Sequence, residues 1–269
     1  MRLLSRAMLA AMSLHITALM AHSGDHSSIN ELNALLATTP DAPSLLLIRG
    51  ATFTRMGQWD KAEQDFLRAK QIDKHINIDF ELAQLYFQRN LFTYSLLHVN
   101  RYININPEYA PAYLLKARSA QASGQTGIAQ QSWVDYLTIA PDAHPGDYLA
   151  AARLHASTGS IGVEKALELL DQGIKRIGLT AQLQGYAMQL ELDRDQPTLA
   201  YRRWRSLENQ LGATPKYKIT LAQLLVLTDR LSEARITLED AKTQLLKQRK
   251  TPARKTLERK LMRIEEQLG

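Results

Sequence analysis

Three residues near the start of the chain have the chemistry and the spacing of a metal site. His22, Asp25 and His26 lie within five residues, and imidazole and carboxylate groups are ligands that transition metals take from proteins. A cut after Ala21 would also give His22 a free α-amine beside its imidazole. The sequence therefore leaves copper binding open at this cluster. The alternative is a polar, disordered N-terminus that needs no cofactor.

The residues before that cluster have the pattern of a secretory signal peptide. Two arginines precede an apolar stretch over 7–20, and no acidic residue occurs before Asp25. The sequence predicts a signal peptide over 1–21, with cleavage after Ala21 or, failing that, after Ser23. A membrane anchor would need about 20 apolar residues, which this stretch does not supply. We expect the mature protein to be periplasmic or secreted.

Catalytic motifs are absent from the rest of the sequence. It contains no phosphate loop with Lys-Ser or Lys-Thr, no His-Glu-x-x-His, no Gly-x-Ser-x-Gly and no cysteine. The run at 157–162 is similar to a phosphate loop but lacks the lysine, and it is predicted to be a turn. His144, beside Pro145, is predicted to cap a helix. The sequence predicts that the protein is not an enzyme and has no catalytic residues.

The elements that would position any binding residues follow from one spacing, which is clearest over 111–141. Its first stripe contains Tyr113, Ala117 and Ala120, its turn contains Gly124, and its second stripe contains Ala129, Trp133 and Tyr136. Steps of three and four residues put side chains on one helix face, and small residues let two helices approach closely. Pro141 then ends the second helix, because proline has no N–H to donate.

The same spacing recurs along the chain. Three further regular copies occur over 46–69, 79–107 and 218–241. Two looser copies occur over 148–173, which has two extra residues in its turn, and over 187–207. This pattern resembles the tetratricopeptide repeat (TPR), a helix-turn-helix unit of about 34 residues. The resemblance implies an all-α fold, a right-handed TPR-type α-solenoid of about six helix pairs with a capping helix at each end.

The boundaries follow from the repeat. We expect a signal peptide at 1–21, an N-terminal segment with a cap helix at 22–42, the TPR array at 43–242, and a basic linker with a C-terminal cap helix at 243–269. The repeats are predicted near 43–75, 76–109, 110–143, 145–178, 180–212 and 215–242. Ser27 or Ser28 would cap the first of these extra helices. Leu257, Leu261, Ile264 and Leu268 would form the apolar face of the last one.

A narrower resemblance rests on three short segments. The run from His22 to Asp25, the segment 169–178 at the end of the fourth repeat, and the Thr-Pro-Ala start of 251–261 are similar to segments of a group of exported bacterial TPR proteins. Ser23 is inserted in the first of these runs. That group has no established activity, so the resemblance implies export and nothing about chemistry.

The TPR resemblance also implies where a partner binds. In this family the first helix of each pair lines the concave groove through the second, fifth, ninth and twelfth repeat positions. In this sequence the predicted groove residues are Phe80, Gln84, Phe87, Leu114, Arg118, Gln121, Leu149, Arg153 and Met188, with Gln184 and Glu191 less securely placed. Aromatic, Met, Arg and Gln side chains suit an extended peptide or a helix. The family's pattern of Lys and Asn that clamps a C-terminal carboxylate is not present.

Charge leaves a second partner class open. The net charge is +6, and between 242 and 263 nine Lys and Arg residues face one acid, Glu258. Such a segment attracts anionic membranes or polymers, although it has no aromatic residue to stack on a nucleic-acid base.

The main hypothesis is a protein-protein interaction scaffold in the cell envelope that binds a peptide, acidic in character, in its groove. An anionic-surface binder and a metal-binding accessory protein are the alternatives, and no nucleic-acid partner is expected.

Overall fold

The computed structural model describes residues 25–269, with side chains from Ser28 onward. This part of the chain is built of α-helices and contains no strand. The helices are α1 (Asp25–Thr38), α2 (Pro43–Arg55), α3 (Trp59–Ile72), α4 (Asp79–Gln88), α5 (Phe92–Ile105), α6 (Ala110–Ala122), α7 (Thr126–Ile139), α8 (Pro145–Ala156), α9 (Ser160–Ile177), α10 (Ala181–Asp193), α11 (Pro197–Arg205), α12 (Glu208–Leu211), α13 (Pro215–Leu227), α14 (Leu231–Leu246) and α15 (Pro252–Leu268). The all-α prediction is confirmed.

Six helix pairs follow one another, and a short turn joins the two helices of each pair. The turn residue has a positive φ in every pair: Gly57 (71°), Asn90 (60°), Gly124 (76°), Gly159 (94°), Asp195 (56°) and Asp229 (57°). Gly, Asn and Asp tolerate this left-handed region best. In five of the turns the next N–H donates to the carbonyl five residues earlier, as Gln125 does to Ala120 at 2.8 Å. This Schellman bond satisfies a carbonyl that the helix end leaves open.

Small residues bring the two helices of each pair together. The first helices bury Gly50, Ala83, Ala117, Ala152, Ala187 and Ala222, and the second helices bury Ala62, Ser95, Ala129, Ala166, Ala200 and Ala234. At Gly50 a Cβ atom would lie 2.5 Å from the Phe66 ring, so only glycine fits there. The small residues predicted from the spacing therefore do lie between the helices.

The chain folds into two compact units that divide between Ala140 and Pro141. In the first unit α1 packs on α2, where Leu32 and Leu36 join the core formed with Leu45 and Leu46. The predicted start of α1 at Ser27 or Ser28 is wrong. The helix begins at Asp25, and Ser28 is buried within it, so its side chain lies inside the fold and not at the helix end.

The second unit has a core in which α15 takes part. Leu261, Ile264 and Leu268 of α15 pack with residues of α13 and α14, as the sequence predicts. Trp204 stacks on Tyr217 with ring centroids 5.6 Å apart, and its Nε1–H donates to the Tyr217 carbonyl at 3.0 Å. This hydrogen bond satisfies the indole N–H in an apolar core.

Two details of the second unit depart from a regular repeat. The two extra residues of the fourth pair extend the first turn of α9, where Gly162 lies so close to the His155 carbonyl that a Cβ atom would clash. The short helix α12 fills the connection before α13 and was not indicated by the sequence.

The run at 157–162 is a turn followed by the start of α9, as predicted. His144 is the N-cap of α8, where its N–H donates to Asp147 at 2.9 Å.

The predicted signal peptide lies outside the described residues, and so does His22 of the predicted metal cluster. Asp25 and His26 begin α1, and only their backbone is described. No described helix combines the length and the apolar character that crossing a membrane requires.

Candidate partner-binding groove

An open cavity of about 430 Å³ lies in the first unit, between α4, α6 and the last turn of α2. Its lining residues are Ala51, Thr54, Arg55, Phe80, Gln84, Phe87, Gln88, Pro111, Leu114, Leu115 and Arg118. Asn77 fixes the start of α4 by accepting the Asp79 N–H at 2.9 Å. Pro111 lies in the first turn of α6, where a missing N–H costs no hydrogen bond. These starts set which faces of α4 and α6 meet at the cavity.

Aromatic neighbours hold the two phenylalanines of the cavity. The Phe80 ring lies 5.2 Å from the Tyr102 ring and 5.1 Å from the Tyr109 ring, the latter edge to face. The Phe87 ring lies 5.7 Å from that of Phe92. Such pairs stabilise a fixed ring position. The apolar wall of the cavity is therefore already formed, and a ligand would not have to order it.

The polar part of the cavity carries positive charge. Arg118 is exposed, and none of the ion pairs described in the first unit includes it. Arg55 donates to Thr52 Oγ1 at 3.2 Å. Among the described residues no carboxylate lines the cavity, whereas Gln84 and Gln88 add amide groups. The site thus combines an apolar wall with two guanidinium groups.

Two acidic side chains of α3 and α4, Glu63 and Asp79, already have partners. Glu63 accepts from Tyr86 Oη at 2.8 Å and from Arg89 at 3.4 Å. Asp79 Oδ1 lies 2.7 Å from His98 Nδ1. Burial, and next the hydrogen bond to Glu63, raise the pKa of Tyr86 to about 12. Burial also raises the pKa of Glu81, so that this carboxyl loses part of its preference for the charged form.

The structure places five of the nine predicted groove residues around this one cavity: Phe80, Gln84, Phe87, Leu114 and Arg118. Gln121 is exposed one turn further along α6 and does not line it. The other three, Leu149, Arg153 and Met188, belong to the second unit.

In the second unit the predicted residues have other contacts. The Arg153 guanidinium lies 5.6 Å from the centre of the Tyr186 ring, and Met188 packs against the core. Gln184 and Glu191, the less secure candidates, are buried. Glu191 accepts from Arg203 Nε at 3.1 Å. The repeat spacing predicted it to face the groove, but its side chain forms an ion pair inside the fold.

Sequence reasoning missed the wall that α2 contributes. Ala51 and Thr54 occupy in the first pair the same ninth and twelfth positions that Gln84 and Phe87 occupy in the second. Applying the repeat register to the first pair would have found them. Arg55 and Gln88 each lie one residue beyond the twelfth position, and the register does not indicate them.

Solved structures resemble this chain, although no family model and no curated protein matches it. MamA (41-end) from Desulfovibrio magneticus RS-1 has 11% identity and a TM-score of 0.51, over 62% of this chain and 94% of that one. Yeast Tom70 has 16% identity and a TM-score of 0.50, over 84% and 45%. Naa15/Naa10 bound to HypK-THB has 13% identity and a TM-score of 0.52, over 86% and 35%. This chain thus spans less than half of the last two.

Because these sequence identities are low, the similarity concerns the fold alone. Together with the six helix pairs of about 34 residues, they settle the fold class. The chain has a tetratricopeptide repeat fold. In a TPR fold the first helices of successive pairs line one groove, and α2, α4 and α6 are three such helices.

The basic C-terminal segment, 242–263, begins near the end of α14 and continues into α15, and it differs from its prediction. Arg254 is buried: its Nε donates to Glu258 at 2.7 Å, and it also donates to the Gln248 carbonyl. Lys242 pairs with Glu265 at 2.9 Å. Two of the nine cations are therefore paired with acids of α15. The remaining seven are exposed, and none forms an ion pair within the described residues: Lys247, Arg249, Lys250, Lys255, Arg259, Lys260 and Arg263.

The described residues contain no cluster of three or more metal-ligating side chains. The copper hypothesis concerns the N-terminal cluster, and it stays a prediction.

Proposed function

We propose that the protein is a non-enzymatic scaffold or adaptor that binds an acidic peptide segment in the groove between α2, α4 and α6. One observation carries the proposal. The cavity joins fixed aromatic rings to the exposed Arg118 guanidinium, which no ion pair of the described residues includes, and no described carboxylate lines the cavity. A solved structure of similar fold supports the proposal, because it shows Naa15/Naa10 bound to HypK-THB.

The chemistry of the cavity selects the ligand. An apolar side chain of the peptide enters between Phe80, Phe87 and Leu114, which removes apolar surface from water. A neighbouring Asp or Glu pairs with Arg118, whose planar fork suits a carboxylate in a bidentate manner. Gln84 and Gln88 donate to peptide carbonyls. The ligand class is therefore a short segment with a large apolar residue and an acidic residue close together.

A peptide library tests this proposal without knowledge of the natural partner. The chain from His22 onward, which keeps every described residue, would be used to select binders from displayed random 12-residue peptides. We expect enrichment of Asp or Glu near Leu, Met or Phe. The same selection on Phe87→Ala and on Arg118→Glu should lose the apolar and the acidic preference respectively.

Arg101→Glu is a matched control, because Arg101 is an exposed arginine of α5 that does not line the cavity. It makes the same charge change and should keep both preferences. Peptides that lack an acidic preference, or a preference that survives Arg118→Glu, would contradict the assignment.

We also propose that the protein is exported to the periplasm or beyond. The pattern of residues 1–21 supports this location, and an envelope role for the scaffold follows from it.

A further inference from the structure

Seven exposed cations form one basic surface in the second unit. This basic surface comprises the α14–α15 loop, with Lys247, Arg249 and Lys250, and the outer side of α15, with Lys255, Arg259, Lys260 and Arg263. Lys255, Arg259 and Arg263 follow one another at intervals of four residues. Like charges at that spacing repel and weaken a helix, so these residues do not serve the stability of α15.

A small anion-sized recess lies within the basic surface. Thr256, Arg259, Lys260 and Arg263 line an open cavity of about 200 Å³. Three cations thus face one space. Arg259 Nη2 donates to Thr256 Oγ1 at 3.3 Å, and that hydroxyl donates in turn to the Pro252 carbonyl at 3.1 Å. Charge-assisted hydrogen bonds from such groups suit phosphate oxygens.

Exposed apolar side chains lie beside the cations. Leu246 is 67% exposed and Met262 is 55% exposed. Both line a cavity of about 310 Å³ between α14 and α15, together with the buried Leu245 and Leu261. The acids of that cavity, Glu258 and Glu265, are paired with Arg254 and Lys242. The cavity is therefore apolar at its centre, and its acidic groups do not offset the basic surface.

We propose that the basic surface, together with Leu246 and Met262, docks the protein on an anionic phospholipid bilayer. The cations contact lipid phosphates, the recess at Thr256 accepts one of them, and Leu246 and Met262 enter the interface between headgroups and acyl chains. The contact is peripheral. It leaves the groove of the first unit unused, so it is a property beyond peptide binding.

Other occupants fit these observations less well. A second copy of the chain would bring two like-charged surfaces together. A nucleic acid or another polyanion would satisfy the cations but would leave Leu246 and Met262 without a partner, and residues 242–269 contain no aromatic side chain for stacking.

Binding to vesicles tests the proposal. The chain from His22 onward removes the apolar stretch at 7–20, which would bind lipid by itself. We expect it to bind phosphatidylglycerol/phosphatidylcholine vesicles and to bind phosphatidylcholine vesicles weakly or not at all. Arg259→Glu with Lys260→Glu and Arg263→Glu should weaken binding to the anionic vesicles by about 50-fold or more. The corresponding triple Gln variant should weaken it less and serves if the Glu variant does not fold.

A second variant separates lipid from a purely ionic partner. Leu246→Ser with Met262→Ser leaves every charge in place and should weaken vesicle binding by about 10-fold, without changing the binding of duplex DNA or polyphosphate. The charge control is Arg101→Glu with Lys175→Glu and Arg202→Glu, three exposed cations outside the basic surface. It should bind vesicles more tightly than the Arg259, Lys260 and Arg263 variant.

Three outcomes would overturn the proposal. The first is equal binding to anionic and neutral vesicles, or equal loss in the two charge variants. The second is DNA or polyphosphate binding as tight as vesicle binding, with no effect of the Ser substitutions. The third is self-association in sedimentation that the Ser substitutions abolish while vesicle binding is absent.

Discussion

At the scale of single residues, Arg118 has the most direct predicted effect on binding. Its side chain is exposed and pairs with no described acid, so its removal should not lower the free energy of unfolding. We expect Arg118→Ala to weaken a peptide selected on the groove by about 2 kcal/mol, measured by calorimetry. Arg118→Lys should recover part of the loss, because it keeps the charge but not the planar fork. Unchanged affinity in both variants would contradict the groove.

Tyr86 should make stability depend on pH in the alkaline range. Its pKa is raised to about 12 by burial and by the hydrogen bond to Glu63, whereas an unfolded tyrosine titrates near pH 10. The folded state therefore holds this proton more tightly. The resulting stabilisation is complete below about pH 10 and is lost as the pH rises toward about 12.

Denaturant unfolding measured between about pH 9 and 11 would show this as a falling free energy of unfolding. Tyr86→Phe should flatten that fall. Tyr94→Phe is the matched control, since Tyr94 is 56% exposed and contributes least to the raised pKa of Tyr86, so it should change the slope much less. Equal slopes in the wild type and Tyr86→Phe would show that the hydroxyl is not held as the structure has it.

At the scale of elements, an ion pair joins α9, α10 and α11. Arg203 bonds both oxygens of Asp171, at 2.7 and 3.1 Å, and also Glu191, whose side chain is only 5% exposed. Removing the arginine leaves a buried carboxylate without its partner. We therefore expect Arg203→Met to lower the free energy of unfolding by about 3 kcal/mol.

Two further variants make that prediction specific. Arg203→Met combined with Glu191→Leu should recover most of the loss, because no buried charge then remains unpaired. Arg202→Met changes the exposed neighbouring arginine and should have little effect. A double variant as unstable as the single one would show that the loss comes from packing.

The elements also show which parts of the fold the sequence could predict. Alanines such as Ala117 and Ala129 and the turn glycine Gly124 identify a helix pair, because close packing and a positive φ each admit few residue types. The start of α1, the extra turn of α9 and the helix α12 depend on tertiary packing that local spacing does not encode. Phe80 and Arg118 could be predicted as cavity residues because they occupy regular positions of the repeat. Arg55 lies one residue beyond such a position, so the repeat spacing could not indicate it.

At the scale of the whole molecule, export decides which form of the chain exists in the cell. We predict that the mature protein begins at His22 and lies outside the cytoplasm, because residues 1–21 have the charge and apolar arrangement of a signal peptide. N-terminal sequencing of protein from fractionated cells measures this directly. A cytoplasmic product that retains Met1 would contradict it.

Copper binding depends on the same cleavage. If His22 is the first residue, its α-amine and imidazole can bind Cu(II) together. We expect the mature protein to bind Cu(II) more tightly in calorimetry than a form extended by one N-terminal Met, since the extension moves the amine away from the imidazole. Equal affinities would leave the cluster as a polar terminus.

The turns with positive φ have a consequence for how such a chain changes its length. Five of the six turns end their first helix with the same hydrogen bond to the carbonyl five residues earlier, for example Leu91 to Tyr86 and Gln125 to Ala120. A gene duplication with its two ends in two such turns therefore joins matching geometries and adds one complete helix pair of about 34 residues. Because each pair packs only on its neighbours, the protein can gain or lose a pair by a single recombination event, and a longer or shorter groove becomes available to selection without redesign of the core.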